Sequence, residues 1–105
     1  MYVHVFFILL LFRYVNEQKH ISSIEQYVID YVRDLRKNKN LSQDDIGNII
    51  GKSKSFIGNI ESMNNRAKYN LSHINLLADY FNLSPRDFLP EKVILKRDKI
   101  KKKNS

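Results

Sequence analysis

The sequence predicts an all-α domain of five short helices, with an apolar extension before it and a basic tail after it. Three observations carry this. Apolar residues recur at three- and four-residue spacing in successive segments between residues 24 and 89, the signature of helices that bury one stripe. Most of these segments open on a serine, which can cap a helix N-terminus. No stretch shows the strict alternation of a half-buried strand.

The first helix starts at Ser22. With Glu25 three residues on, it offers a capping box, and Ile24, Tyr27, Val28, Tyr31, Val32 and Leu35 follow as one stripe. The run Arg36-Lys37-Asn38-Lys39-Asn40 is a basic, polar turn. Ser42 caps the second helix, with Asp44 and Asp45 in its positive first turn and Ile46, Ile49 and Ile50 on its apolar face. Gly51 ends that helix, since glycine adopts the left-handed conformation without strain. Ser53 caps a third helix, about 53–62, with Phe56, Ile57 and Ile60 inward. Two short helices joined by so brief a turn have the spacing of a helix-turn-helix.

A polar, basic loop then runs from Ser62 to Asn70. Leu71, Ile74, Leu77, Ala78 and Phe81 give the fourth helix. Ser84-Pro85 reads as a cap followed by proline at the first helical position. Phe88 and Leu89 anchor this last short helix, and Pro90 stops it. Tyr27, Tyr31, Tyr69 and Tyr80 read as core or core edge.

The flanks divide the chain into residues 1–20, 21–90 and 91–105. The first opens MYVHVFFILLLF. This apolar run is shorter than the roughly 20 residues that span a bilayer, and it lacks the basic start and small-residue cleavage site of a signal peptide. It could be a membrane-surface anchor, a segment that pairs with a partner chain, or a helix laid on the domain. The favoured expectation is an incidental segment or a start assigned too early, with the natural beginning near Glu17. The net charge is +7, which suits a polyanionic partner. Residues 91–105 hold 7 Lys+Arg against 2 Asp+Glu, so most of the excess sits in the tail. Such a run is most often a solvated tail.

The chemistry concentrates in residues 42–61. With Phe56, Ile57 and Ile60 turned inward, the third helix presents Lys54, Ser55, Gly58, Asn59 and Ser62 outward. Lysine can donate to guanine O6 and N7, asparagine can pair with adenine N6 and N7, and serine suits several bases. Lys54, Ser55 and Asn59 are therefore the candidate base contacts; the plainer alternative is ordinary surface polarity. Gln43 lies at a helix N-terminus, where backbone N–H groups favour a phosphate. Ser42, Lys52 and Ser53 are further candidate phosphate contacts. Such contacts set register without carrying sequence information.

The stretch LSQDDIGNIIGKSKSFIGNIE resembles the helix-turn-helix of the lambda-repressor/Cro-like (XRE) family of DNA-binding proteins. The likeness extends over roughly residues 24–90 and includes Leu35-Arg36, Leu41-Ser42-Gln43, the Gly51 turn and the closing NLSPRDFLP. It implies the lambda-repressor-like fold and sequence-specific binding of double-stranded DNA. It further implies that Gln43 holds a phosphate and that Lys54, Ser55 and Asn59 read bases. Arg36 would pair with Glu61, tying the first helix to the third. Arg66 and Lys68, in the loop from Asn64 to Asn70, would touch phosphates. Three departures stand out: Gly47 where the family usually has alanine, Lys52 where valine or threonine is common, and Gly58 where relatives often carry a polar side chain.

The expected protein is a transcriptional regulator of the XRE type, not an enzyme, acting in the cytoplasm as a homodimer. Phe81, Phe88, Leu89, the C-terminal residues or the N-terminus could supply the dimer interface. The alternative is the antitoxin of a toxin–antitoxin pair that also binds its own promoter. A membrane-surface protein is a third reading. The chain has no cysteine, so disulfides and thiolate metal sites are excluded. His4, His20 and His73 are too scattered to suggest a metal site, and no cofactor is expected.

Overall fold

The computed structural model describes residues 5, 7–10, 21–62 and 66–95. Expectations resting on His4, His20, Asn64 and the tail beyond residue 95 lie outside them. Four α-helices follow one another: α1 (Ser23–Asn38), α2 (Gln43–Ile50), α3 (Lys54–Glu61) and α4 (Leu71–Phe81), closed by a 3-10 helix (Pro85–Phe88). No strand occurs among the described residues. The five-helix, all-α prediction therefore holds. Residues 5 and 7–10 in the N-terminal segment are also helical.

Local chemistry fixes both ends of each helix. Ser22 and Glu25 close a reciprocal capping box on α1, and Ser42 and Asp45 do the same on α2. The N–H of Ser42 holds the exposed Asp45 carboxyl below its usual range. Ser53 accepts from the N–H of Phe56 at 3.1 Å to start α3. α4 has a less familiar cap: Asn70 Oδ1 accepts from the N–H of His73, and His73 Nδ1 accepts from the N–H of Asn70.

The C-termini of α1, α2 and α4 share one solution. Asn40, Gly51 and Asn82 adopt left-handed φ values of 61°, 72° and 58°. In each case the next N–H reaches back to the carbonyl five residues earlier: Leu41 to Arg36, Lys52 to Gly47, Leu83 to Ala78. These bonds satisfy carbonyls that a bare helix end would leave open.

The core is one cluster. Val28, Ile29 and Val32 of α1 meet Ile46 and Ile50 of α2, Ile57 and Ile60 of α3, Ile74, Leu77 and Ala78 of α4, Tyr69 and Phe88. α2 packs against α3 and α4, while α1 packs against α3 and the closing 3-10 helix. Phe88 is fully buried, with its ring 5.0 Å from that of Tyr31.

The structure corrects several sequence expectations. Ile24 and Tyr27 lie at the exposed start of the α1 stripe, whose core positions are Val28, Ile29 and Val32. Leu71, placed on the apolar face of α4, is 79% exposed because it is the first residue of the helix. Tyr80 is exposed, stacked edge-on against Phe81. Phe88 is core and not available as a dimer surface.

Candidate nucleic-acid interface

The interface is built outward from α3. Its inner side is fixed by Ile57 and Ile60 and by a carboxylate at its last residue. Glu61 accepts two bonds from Arg36, Nε to Oε2 at 3.0 Å and Nη2 to Oε1 at 2.8 Å. The two side chains are only 13% and 7% exposed. Arg36 Nη1 also donates to the carbonyl of Leu41, 3.1 Å away. One guanidinium thus joins the end of α1, the α1–α2 turn and the end of α3. A planar five-donor fork suits this role in a way a lysine does not.

Gln43 enters the same network. Its Nε2 donates to Glu61 Oε1 at 3.0 Å, and its Oε1 lies 3.5 Å from where a Cβ on Gly58 would stand. Gly58 therefore neighbours Gln43, itself a candidate phosphate contact. The bond to Glu61 was not legible in the sequence, because the two residues are 18 apart and an amide at a helix start has many partners.

The outer side of α3 is open. Lys54, Ser55 and Asn59 are exposed. Lys52 and Ser53 stand exposed at the start of the helix, with Lys52 Nζ 5.3 Å above the centre of the Phe56 ring. Ser42 is exposed at the start of α2. Arg66 is exposed in the loop, and Lys68 forms an ion pair with Glu25 on α1. The candidate base contacts are thus brought together on one helix face. Of the candidate phosphate contacts, Gln43 and Lys68 also hold partners within the chain.

The turn between α2 and α3 is tighter than the sequence suggests. A Cβ on Gly47 would lie 2.5 Å from the carbonyl oxygen of Lys52. Glycine at this site lets the turn close against α2. The alanine usual in the family would not fit this backbone unmoved.

Behind α3 the loop is buried through Tyr69. Its hydroxyl is enclosed without a hydrogen-bond partner, and burial together with the nearby Glu61 charge raises its pKa and keeps the phenol protonated. His73 stacks edge-on between Phe56 and Tyr69. Burial, then the charge of Lys52, lowers its pKa. Its Nδ1 lone pair is the acceptor for the α4 cap, so the neutral ring is the form the fold uses.

A helix-turn-helix family model matches residues 32–88, more than half of the chain. The chain belongs to the Cro/C1-type helix-turn-helix (XRE) family. It is a DNA-binding transcription regulator of that type, in a family that is regulatory and not normally enzymatic. No curated protein and no solved structure matches the chain significantly. Among the described residues, no helix is long and apolar enough to cross a membrane, and no cluster of His, Asp and Glu could hold a metal ion.

Proposed function

We propose that this XRE-type regulator reads a specific two-fold operator as a homodimer, with α3 of each copy in the major groove. Lys54, Ser55 and Asn59 contact base edges. Ser42, Gln43, Lys52, Ser53, Arg66 and Lys68 contact the flanking phosphates. The observation that carries this reading is the division of α3. Its inner side is fixed by Ile57, Ile60 and the Arg36–Glu61 pair, and its outer side holds three exposed donors within two turns. A preorganised helix gives up little freedom on binding, so its contacts are realised as affinity.

Energetics favours the dimer. A good bidentate base contact discriminates by about 1–3 kcal/mol, and three side chains on one half-site give modest selectivity. Two copies on a symmetric site double the readout. Gln43 retains a second amide hydrogen beside its bond to Glu61, which leaves it a donor for a phosphate oxygen.

The test is selection from a random double-stranded DNA pool, followed by salt titration of the winner against scrambled DNA. The expected result is a palindromic site whose advantage persists as salt rises. Weak, uniform binding that disappears with salt means that only phosphates are held. The proposal then fails, and a protein partner such as a toxin becomes the better reading.

A further inference from the structure

An apolar groove lies apart from α3. It is framed by Ile24 and Val28 of α1, Leu71 and Ile74 of α4, Tyr69 before α4 and Leu89 after the 3-10 helix, and it encloses about 390 Å³. Its rim is unpartnered: Ile24, Leu71 and Leu89 are all exposed. Its charged edge is neutral, because Lys68 is paired with Glu25 there. The same chain carries a second unpartnered apolar surface. Residues 1–12 contain no Lys, Arg, Asp or Glu, and Val5, Phe7, Ile8, Leu9 and Leu10 are helical and each at least half exposed.

We infer that these two surfaces are halves of one contact, and that the N-terminal segment of each copy seats in the groove of a second copy. This rests on the homodimeric reading above and gives that dimer its interface. An apolar segment without Lys, Arg, Asp or Glu suits a groove whose Lys68–Glu25 pair is internally satisfied. Within one chain both surfaces keep exposed apolar area, on the segment and on the rim alike. Exchange between two copies buries both, in the self-complementary manner of a two-fold dimer. The chain geometry permits it. Residues 13–21 join the segment to α1, whose first turn forms the groove rim, and nine residues span at most about 30 Å. No residue of α3 lines the groove, so the docked segment leaves Lys54, Ser55 and Asn59 uncovered; of the proposed phosphate contacts it borders Lys68 alone.

Sedimentation equilibrium of the full 105-residue chain without DNA tests this. Two variants each remove one half of the contact: Leu71→Asp in the groove, and Phe7→Asp with Leu10→Asp on the segment. Neither disturbs the core, because all three side chains are exposed; an aspartate at the first position of α4 also suits the helix dipole. The expected result is a wild-type dimer and a monomer for each variant, with unchanged thermal unfolding of the domain. A monomeric wild type, or a dimer that survives either variant, overturns the inference.

Because the chain has no cysteine, Phe7→Cys with Leu71→Cys and a short bismaleimide provides a second readout. Covalent dimers support exchange. Crosslinked monomers mean that the segment folds onto its own groove and overturn it. Failure of the interface and failure of DNA reading are separable. A wild-type dimer that selects no DNA leaves the interface standing, and a palindrome-selecting protein whose dimer survives Leu71→Asp leaves the operator reading standing.

Discussion

The two sides of α3 differ in how completely they are determined. On the inner side every group is committed: Ile57 and Ile60 fill the core, and Glu61 accepts from both Arg36 and Gln43. On the outer side Lys54, Ser55 and Asn59 are exposed. Eight residues thus hold a fixed mount and the exposed surface proposed to read DNA. The difference teaches that fold stability and DNA preference can be altered almost independently here. Substitutions on either side put that to the test.

The largest effects belong to the inner side. Ile57→Ala empties a fully buried site, and such truncations cost about 2–5 kcal/mol. Urea unfolding followed by circular dichroism should show that loss, and a change under 1 kcal/mol would mean that α3 is not seated as described. Glu61→Ala leaves the largely buried Arg36 guanidinium without its carboxylate and releases Gln43. Removing one partner of a buried pair costs about 3 kcal/mol or more. This variant should also weaken DNA binding on all sequences alike, because the loosened Gln43 is proposed to hold a phosphate and not a base. Binding loss confined to one base position would show that Glu61 acts on readout.

Gly47→Ala is a sharper case, since two principles oppose each other. Helix propensity favours alanine by about 1 kcal/mol. The added Cβ, however, would stand 2.5 Å from the Lys52 carbonyl, a backbone atom that moves only if the turn opens. Overpacking of this kind costs about 1–3 kcal/mol, so the net expectation is mild destabilisation with weaker DNA binding. A more stable protein with unchanged binding would mean that the turn is less tight than the structure shows.

The same contrast explains what the sequence disclosed. The helix starts at Ser22, Ser42 and Ser53, the Gly51 turn and the core positions of α2 and α3 were legible, because capping and periodicity act within a few residues. Asn40 and Asn82 end helices just as Gly51 does, but asparagine is scattered through the chain and its left-handed use has no local signature. The Asn70–His73 cap escaped because histidine is not the residue a capping box leads one to expect. Ile24 and Leu71 satisfied the helical pattern yet lie exposed, since periodicity identifies a face and not how far its partner extends. The Gln43–Glu61 bond and the Lys68–Glu25 pair depend on tertiary placement, so candidate DNA contacts could be named while their internal partners could not.

His73 of α4 packs edge-on against Phe56 of α3, and its contribution to stability depends on pH. Its folded pKa lies below the ordinary histidine value near 6.5, so below that pH the unfolded chain takes up a proton that the folded chain resists. The contribution is present in full above pH 6.5 and is lost as pH falls through the gap toward the folded value. The slope for one proton is at most about 1.4 kcal/mol per pH unit. Unfolding midpoints at pH 7.5 and 5.5 should therefore separate more for the wild type than for His73→Asn. Equal separations would show that the ring titrates normally in the fold.

The smallest effect on stability is expected at Asn59, and for that reason it is the most informative about recognition. The side chain is exposed, and the bond that closes the helix there uses the Asn59 backbone carbonyl, which accepts from Ser62. Asn59→Ala should leave the unfolding midpoint within about 0.5 kcal/mol of the wild type. On DNA it should relax preference at one base pair per half-site by about 1–3 kcal/mol, while the salt dependence stays the same, since no phosphate contact is removed. A uniform loss across all sequences, with a shallower salt slope, would place Asn59 against the backbone instead. The outer side of α3 would then be a positioning surface, and base reading would have to come from Lys54 and Ser55 alone.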